Sequence, residues 1–420
     1  MAELTEKIRS IDEALVRVAK SVKVLSALGW PQAVGQRFLE RWQAGYPELP
    51  EVTYSRPDLV SSRSALEGIM ARCDRAHPVE DFLFKTARSY LRAVRMVENL
   101  GRPDFSVWSM KIYGSPADPV AIDRTSTLVA ARRLMETTRA FSEYCGLDES
   151  DYCVMPEAVA EELRVAARAF DRHQVEVVVD PSLTAKAAAG ATRIRIRGGT
   201  CFSKEDAAQL IHHELFVHTL TALNGRMQPQ LHSLGLGAPR TTRTQEGLAL
   251  FAELITNSID INRLRRIAAR CIAIDMALNG ADFIQVFQYF LDAGQTELEG
   301  CSSAQRVFRG GDPRGGIAFT KDSVYLQGFV RIHNFLRDAI HDGKLEFPRY
   351  LLAGRLRSSD VPRLEPYFES GALVPPIYEP PWLTRRSSLV AFLLHSSFIT
   401  ELHLDALGGT LEATSEEDPS

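Results

Sequence analysis

The 420-residue sequence is poor in cysteine, lacks long hydrophobic runs and carries almost no net charge. Its six cysteines are scattered and form no Cys-x-x-Cys pair, which predicts reduced, buried thiols in a reducing compartment. No apolar run reaches about 18 residues and the first segment has no signal-peptide core, so we expect a cytoplasmic protein without a membrane partner. The formal charge of −4 provides no general attraction for nucleic acid, and no nucleic-acid partner is predicted.

Several nucleotide and phosphate motifs are also missing. There is no P-loop and no Gly-x-Gly-x-x-Gly after a strand, and clustered aspartates for two hard cations are few. These absences argue against phosphoesterase and nuclease chemistry. What is present is an average globular composition, 45% hydrophobic and 24% charged, which excludes disorder or an elongated coiled coil for most of the chain.

The hydrophobic pattern is mostly helical. Apolar residues recur at helical spacing through the first hundred residues, and turn residues cluster around 101–103 and 114–119. We therefore predict a helical N-terminal region, a catalytic domain and an acidic, disordered tail, with boundaries at 1–110, 111–405 and 406–420.

A small sheet is predicted ahead of the most informative segment. Residues 174–179 are rich in valine, and 192–197 alternate between arginine and isoleucine, which is the strand period. A capping pattern at Ser203 predicts a helix that runs to about Leu223. Further predicted helices cover 125–144, 156–172, 244–254, 262–293 and 322–342, with an irregular connection over 226–243.

The predicted helix after Ser203 carries His213, Glu214 and His218. Zinc hydrolases use two imidazoles on one helix face and a neighbouring carboxylate that accepts a proton from water. The usual spacing of the two histidines is four residues, whereas here it is five. Five residues of a regular α-helix turn by about 500°, which separates the two side chains. A metal site therefore requires a π-type turn between them, because such a turn realigns residues i and i+5.

A third ligand is expected from the next helix. Glu246 opens that helix, and Gly247 would let it approach the first helix closely. Glu253, two turns further on, is the other carboxylate available. His232 in the connection is an alternative ligand, and His212 is expected to pack or support the site.

Three motifs in this order resemble one family. They are His213-Glu214-x-x-x-His218, Gln245-Glu246-Gly247-Leu248-Ala249, and Phe319-Thr320-Lys321-Asp322-x-x-Tyr325-x-x-Gly328. The sequence over about residues 105–345 is similar to the bacterial flavohaemoglobin-expression-modulating QEGLA-motif proteins. Their animal relatives are the microtubule-associated tyrosine carboxypeptidases, which remove a C-terminal tyrosine from tubulin.

The resemblance implies a zinc metallopeptidase. It implies that His213, His218 and Glu246 bind one zinc ion and that Glu214 is the general base. The expected fold class is α+β and predominantly helical, with a zincin-like catalytic region, a small β-sheet and a helical N-terminal part. The tubulin substrate does not carry over, so the expected partner is simply a peptide or protein C-terminus.

Two further roles follow from the reaction. A developing oxyanion needs a donor, and Tyr325 is the first candidate, with Arg309 as the alternative. The phenol would otherwise pack on Phe329. A terminal carboxylate needs a cation. The predicted substrate-binding set is Arg309, Lys321, Arg243 and Arg195, and further candidates are Arg193, Arg197 and Arg240.

Two hypotheses about function remain from the sequence. One is a zinc carboxypeptidase that prefers a terminal tyrosine or phenylalanine. The other is a metal-binding regulatory protein without peptidase turnover. Glu214 favours the first, because a purely structural metal site has no use for a carboxylate beside its ligand. The strand 192–197 is a candidate platform for the backbone of a peptide substrate. The glycine-rich segment 309–316 is a candidate lid. The oligomeric state is not predicted.

Overall fold

The computed structural model is a helical protein with one small sheet, and it describes residues 3–120, 124–145, 153–183 and 185–401. The tail predicted for 406–420 lies outside the described residues. The predicted α+β, predominantly helical class is confirmed. In chain order the described α-helices are α1 (Glu6–Ala19), α2 (Val24–Leu28), α3 (Gln32–Gln43), α4 (Val60–Arg72), α5 (Pro78–Glu98), α6 (Pro103–Tyr113), α7 (Thr127–Cys145), α8 (Pro156–Ala167), α9 (Lys204–Leu210), α10 (Leu220–Arg226), α11 (Thr242–Ile255), α12 (Ile261–Leu278), α13 (Phe283–Asp292), α14 (Glu297–Phe308), α15 (Val324–His341), α16 (Phe347–Leu352), α17 (Val361–Glu369), α18 (Pro381–Thr384) and α19 (Arg386–Glu401).

The N-terminal helices pack onto the rest of the chain. Helix α1 begins where the Thr5 side chain accepts a hydrogen bond from the N–H of Ile8. The Asp12 carboxylate accepts hydrogen bonds from the N–H groups of His232 (2.8 Å) and Ser233 (3.0 Å), which anchors α1 to the connection before α11. One continuous core includes buried residues of α1, α5, α10 and α11. The domain boundary at residue 110 stays a prediction, and the residues on its two sides share this core.

The sheet has three short strands in the order β1-β3-β2: β1 (Glu176–Asp180), β2 (Ala187–Ala189) and β3 (Arg193–Arg197). The central strand β3 is parallel to β1 and antiparallel to β2. Ile194 and Ile196 are buried while Arg193 and Arg195 are exposed, as the alternation predicts. The sequence did not predict β2, because three alanines have no strand preference of their own and only pairing with β3 makes them a strand.

The prediction that all cysteines are unpaired is wrong. Cys153 and Cys201 form a disulfide, with their Cα atoms 4.9 Å apart. Their neighbours Val154 and Phe202 form an antiparallel bridge, which brings the two cysteines side by side. The expectation of a reducing compartment rested on unpaired cysteines, so it loses that support.

Three other cysteines are free, Cys73, Cys271 and Cys301. Burial raises the pKa of the Cys271 and Cys301 thiols to about 12, which leaves them protonated and inert at neutral pH.

Most helices follow the predicted segments. The segment 262–293 contains two helices, α12 and α13, and the irregular connection 226–243 contains two short 3₁₀ turns, His232–Gly235 and Pro239–Thr241. Among the described helices, none combines the length and the apolar character that crossing a membrane requires.

Helices α11 and α15 meet at a pair of glycines, Gly247 and Gly328. A Cβ atom added to Gly247 would lie 2.2 Å from the carbonyl carbon and oxygen of Gly328, and one added to Gly328 would lie 2.1 Å from the carbonyl oxygen of Arg243. Real Cβ atoms do not approach backbone this closely. The two helices therefore pack backbone to backbone, and this contact fixes the position of Glu246, the neighbour of Gly247.

We expect Gly247→Ala to destabilise the fold by about 1–3 kcal/mol, because the added methyl overlaps backbone that cannot move aside. The measurement is the free energy of unfolding in urea. Gly68→Ala is the matched control, since Gly68 is an exposed glycine in α4 with nothing within 4 Å of an added Cβ. That change should stabilise the protein by about 0.5–1 kcal/mol. Equal effects of the two changes would contradict the close contact.

Candidate metal centre and cleft

The two histidines lie on a π-helix. Ser203 caps α9, and the helix then continues through a π-helical segment, Ile211–Thr219, into α10. The wider turn brings the rings of His213 and His218 to a centroid separation of 4.9 Å. The π-turn that the five-residue spacing requires is therefore confirmed.

Neighbouring side chains hold the π-helical segment in place. The Thr219 hydroxyl donates to the carbonyl of Gly190 beside the sheet (2.9 Å), and the Thr221 hydroxyl donates to the carbonyl of Val217 (2.7 Å). The guanidinium of Arg355 donates to the carbonyl of His218 (3.1 Å). The bonds from Thr221 and Arg355 satisfy carbonyls on the widened turn, which lowers the cost of leaving α-helical geometry, and the bond from Thr219 ties the segment to the sheet.

Glu246 on α11 completes a candidate metal site with the two histidines. Its Oε2 atom lies 3.5 Å from Nε2 of His213 and 3.6 Å from Nε2 of His218. One ligand atom from each residue lies within 4.8 Å of the others. Tetrahedral zinc places its ligand atoms roughly 3.3 Å apart, given bonds of about 2.0–2.1 Å. The Oε2 atom is buried and has no hydrogen-bond partner among the described residues, so the residues present fit a bound cation.

Other side chains orient these three residues. Glu253 Oε1 lies 2.6 Å from Nδ1 of His213, and Arg263 in turn donates to Glu253 (3.1 Å). Gln245 Oε1 lies 3.4 Å from Nδ1 of His218. With the Nδ1 atoms facing acceptors, both Nε2 atoms are left for a metal. Glu253, one of the two carboxylates that the sequence offered as third ligand, supports His213 and is not in the ligand group.

Both buried carboxylates remain anionic. Burial alone would raise the pKa of Glu246, but Lys321, whose Nζ lies 2.9 Å from Oε1, and the two histidines hold it well below its usual range. Burial likewise opposes ionisation of Glu253, and Arg263 lowers its pKa to about 2. A cation at this centre would therefore meet one anionic ligand, Glu246, whose charge is already balanced by Lys321.

A cavity of about 280 Å³ opens beside this centre. His213, Glu214 and Tyr325 line it, so the predicted general base and the predicted oxyanion donor face the same space as one ligand. Its wall also carries the six arginines Arg197, Arg263, Arg266, Arg270, Arg306 and Arg309.

Two of these arginines are poorly compensated. Burial, and then repulsion by Arg306, lowers the pKa of Arg270 and of Arg309 to about 10. The Nε atom of each is buried without a hydrogen bond to any described residue, although that of Arg270 lies 3.8 Å from Asp322. Arg306 itself is paired with Asp322 (2.7 Å). The cavity therefore offers unsatisfied positive groups to an anion.

Of the predicted substrate-binding set Arg309, Lys321, Arg243 and Arg195, Arg309 lines this cavity, and so does Arg197 from the further candidates. The ammonium of Lys321 is bound to Glu246, which gives it a supporting position at the centre. Arg195 pairs with Asp180 (3.3 Å) on the exposed face of the sheet. Arg243 donates to the carbonyl of Tyr113 (2.8 Å) and lines a different cavity. The structure does not bring these last two to the centre, because each is held by a local partner.

The remaining histidines stand outside the ligand group. The side chain of His232 is exposed, and only its backbone N–H is bonded, to Asp12. The ring of His212 packs against Phe216 at a centroid distance of 6.0 Å, and burial lowers its pKa.

The segment 309–316, which the sequence predicts as a lid, begins with a turn that packs against other parts of the chain. A Cβ atom on Gly310 would collide with Leu28 and Phe105, and the Gly310 N–H donates to the hydroxyl of Tyr54 (2.9 Å). These contacts fix Arg309, the preceding residue, against the ring of Phe319, with 5.1 Å between the guanidinium carbon and the ring centre.

Sequence reasoning missed the arginines of α12. Arg263, Arg266 and Arg270 recur at intervals of three and four residues, which is the signal for a basic stripe on one helix face. Arg306 and Arg309 are likewise three residues apart, which is the spacing of one helix face. The stripe could have been found, but its direction toward the metal centre depends on how α12 and α14 pack.

We expect Glu253→Gln to weaken zinc binding by about 10–100-fold, since a neutral amide supports the imidazole less well than a carboxylate. The measurement is competition with a chelator of known zinc affinity. Glu214→Gln is the comparison, because Glu214 stands beside His213 without belonging to the ligand group, and it should keep wild-type affinity. Equal losses in the two variants would contradict the supporting role of Glu253.

The comparison with protein families gives one match, and the comparison with individually curated proteins gives none. The matching family is described as microtubule-associated tyrosine carboxypeptidase, and the match covers residues 36–401. The matched range contains the π-helical histidines, Glu246 and the cavity-lining residues other than Gly29 and Trp30, and it spans most of the chain. The chain belongs to the microtubule-associated tyrosine carboxypeptidase family.

Proposed function

We infer that this chain is a zinc-dependent carboxypeptidase that removes a C-terminal tyrosine or phenylalanine from a peptide or protein. The observation that carries the proposal is the convergence of three metal-binding atoms beside a cavity lined by a glutamate, a tyrosine and six arginines. The family match supports it, because the family is described by tyrosine carboxypeptidase activity.

His213, His218 and Glu246 would hold the zinc ion. The unpaired, buried Oε2 atom of Glu246 supports this assignment. Zinc bound in this way supplies a Lewis acid and a water of lowered pKa.

Glu214 is the proposed general base. It follows His213 directly and lines the cavity, where its carboxylate accepts a proton from the attacking water and later passes it to the leaving amine. Tyr325 is the proposed donor to the developing oxyanion, because a phenol donates a hydrogen bond without bringing a charge. Its ring lies in the first turn of α15, with the ammonium of Lys321 5.4 Å from the ring centre.

Arg309 and Arg270 are proposed to grip the terminal carboxylate of the substrate. Among the described residues, neither buried Nε atom has a hydrogen-bond partner, and a carboxylate satisfies a guanidinium through paired hydrogen bonds. Trp30 and Leu210 line the same cavity and give apolar contact to an aromatic terminal side chain. The surplus of arginines also suits a substrate with acidic residues near its end.

We expect Glu214→Gln to retain zinc and to lose activity by about 10²–10⁴-fold, because the amide cannot accept the proton. The measurement is zinc content together with cleavage of peptides ending in Tyr, Phe or Glu. Glu205→Gln, an exposed change on α9, is the matched control and should behave as wild type.

Three outcomes would contradict the proposal. Full activity of a zinc-loaded Glu214→Gln variant would remove the proposed base. A wild-type protein without metal would remove the centre. A wild-type protein that holds zinc and cleaves none of the peptides would favour the metal-binding regulatory role instead.

We expect Arg309→Gln to lower kcat/KM for peptides with a free carboxylate by roughly 10- to 150-fold, from the loss of about 1.5–3 kcal/mol of charged hydrogen bonding. The loss should appear mainly in KM. Arg314→Gln is the matched control, because Arg314 lies nearby with its side chain 79% exposed. Wild type and Arg309→Gln should cleave the same peptide with a C-terminal amide at equal kcat/KM. A parallel loss on that amide would show that Arg309 does not bind the carboxylate.

A further inference from the structure

A second cavity lies away from the metal centre and is lined mainly by cations. It has a volume of about 290 Å³ and is formed by α5, α6, the residues that lead into α11 and the loop before α17. It shares no lining residue with the cavity at His213. Two of its cations are neutralised, Lys85 by Asp81 (2.6 Å) and Arg240 by Asp360 (2.6 Å).

Five cations of this cavity are left almost without counter-charge. They are Arg88, Arg92, Lys111, Arg243 and Arg357. Asp118 is the one carboxylate among the lining residues, and it lies 4.0 Å from Arg243. In the described part of the chain, the other four form no ion pair. The cavity therefore has an excess of about four positive charges.

The excess of positive charge is electrostatically unfavourable for the folded protein. Burial, followed by repulsion from Arg331 and Arg357, lowers the pKa of Arg243 to about 10. Burial and then repulsion from Arg240 lower the pKa of Arg357, and burial and then Arg92 lower that of Arg88. The Nε atom of Arg243 is buried and forms no hydrogen bond within the part of the chain that the structure describes. An anion in the cavity would remove the repulsion and satisfy this atom.

The size and charge of the cavity define the class of anion. Its volume of about 290 Å³ is near the lower end of the range for small-molecule sites, which favours a small anion as the ligand. Guanidinium groups bind phosphate oxygens in pairs. One phosphate group carries about −1.5 to −2 charges at neutral pH, so two or more groups are needed to balance the excess.

We propose that this cavity, between α5, α6 and the start of α11, binds a small molecule carrying two or more phosphate groups. The site lies outside the proposed peptidase cavity, and α11 connects the two, because Arg243 stands one turn before Glu246 on that helix. A ligand on Arg243 thus contacts the helix that holds the metal-binding glutamate.

The test is a calorimetric titration of the zinc-loaded full chain with sodium tripolyphosphate at about 0.15 M salt. We expect one bound molecule and an affinity at least tenfold above that for inorganic phosphate. Hydrogen–deuterium exchange with tripolyphosphate should show protection in residues 85–92 and 110–114. This second measurement locates the site in the wild-type protein and does not depend on any variant or on activity.

The variant test uses Arg88→Gln with Arg357→Gln, which should weaken tripolyphosphate binding at least tenfold. Two exposed arginines elsewhere, Arg17→Gln with Arg168→Gln, are the matched control and should leave the affinity unchanged. Absence of saturable binding, or protection confined to the cleft segments 263–270 and 306–309, would overturn the proposal. Equal binding of hexaglutamate would also overturn it, since that result would indicate a carboxylate-rich peptide as the ligand.

Discussion

The site depends on one departure from regular helix geometry. Two imidazoles five residues apart on a helix can bind the same metal ion only where the helix between them is widened. Here Ile211–Thr219 is a π-helix, and it brings His213 and His218 together. Hydrogen bonds from Thr219, Thr221 and Arg355 hold that segment. Glu246 reaches it because two glycines let α11 and α15 meet backbone to backbone. The widened turn and the glycine contact together bring the three proposed metal ligands into one place.

The charged side chains around the centre form an inner layer next to the histidines and an outer layer in the cavity wall. Lys321 balances Glu246, and Arg263 balances Glu253, so two buried carboxylates stay ionised beside two imidazoles. Further out, Arg270 shares Asp322 with Arg306 at 3.8 Å, and within the described residues the Nε atoms of Arg270 and Arg309 have no hydrogen-bond partner. The inner layer is thus complete within the protein, whereas the outer layer needs an anion that the substrate would provide. This contrast explains how a chain with a formal charge of −4 presents a strongly positive cleft.

The sequence predicted the parts whose cause is local. The spacing of His213 and His218 required the π-turn, and the alternation of arginine and isoleucine in β3 gave its buried face. Glu246 and Glu253 are seven residues apart on one helix face, so spacing alone left both open as ligands. The outcome depended on which of them α11 directs at the two Nε2 atoms.

Other features depend on parts of the chain far apart in sequence. Cys153 and Cys201 are separated by 48 residues, and only the pairing of their neighbours brings them together. Arg243 and Arg195 carry the right charge for a substrate contact, but tertiary partners hold them elsewhere. The alanines of β2 become a strand only against β3. Composition and periodicity contain no information on such pairings.

The most direct test of the account is a crystal structure of the zinc-soaked protein with anomalous data collected at the zinc absorption edge. The account predicts one strong peak within about 2.0–2.2 Å of Nε2 of His213, Nε2 of His218 and a carboxylate oxygen of Glu246. The absence of a peak there, or a regular α-helix with the two histidines on opposite faces, would contradict it.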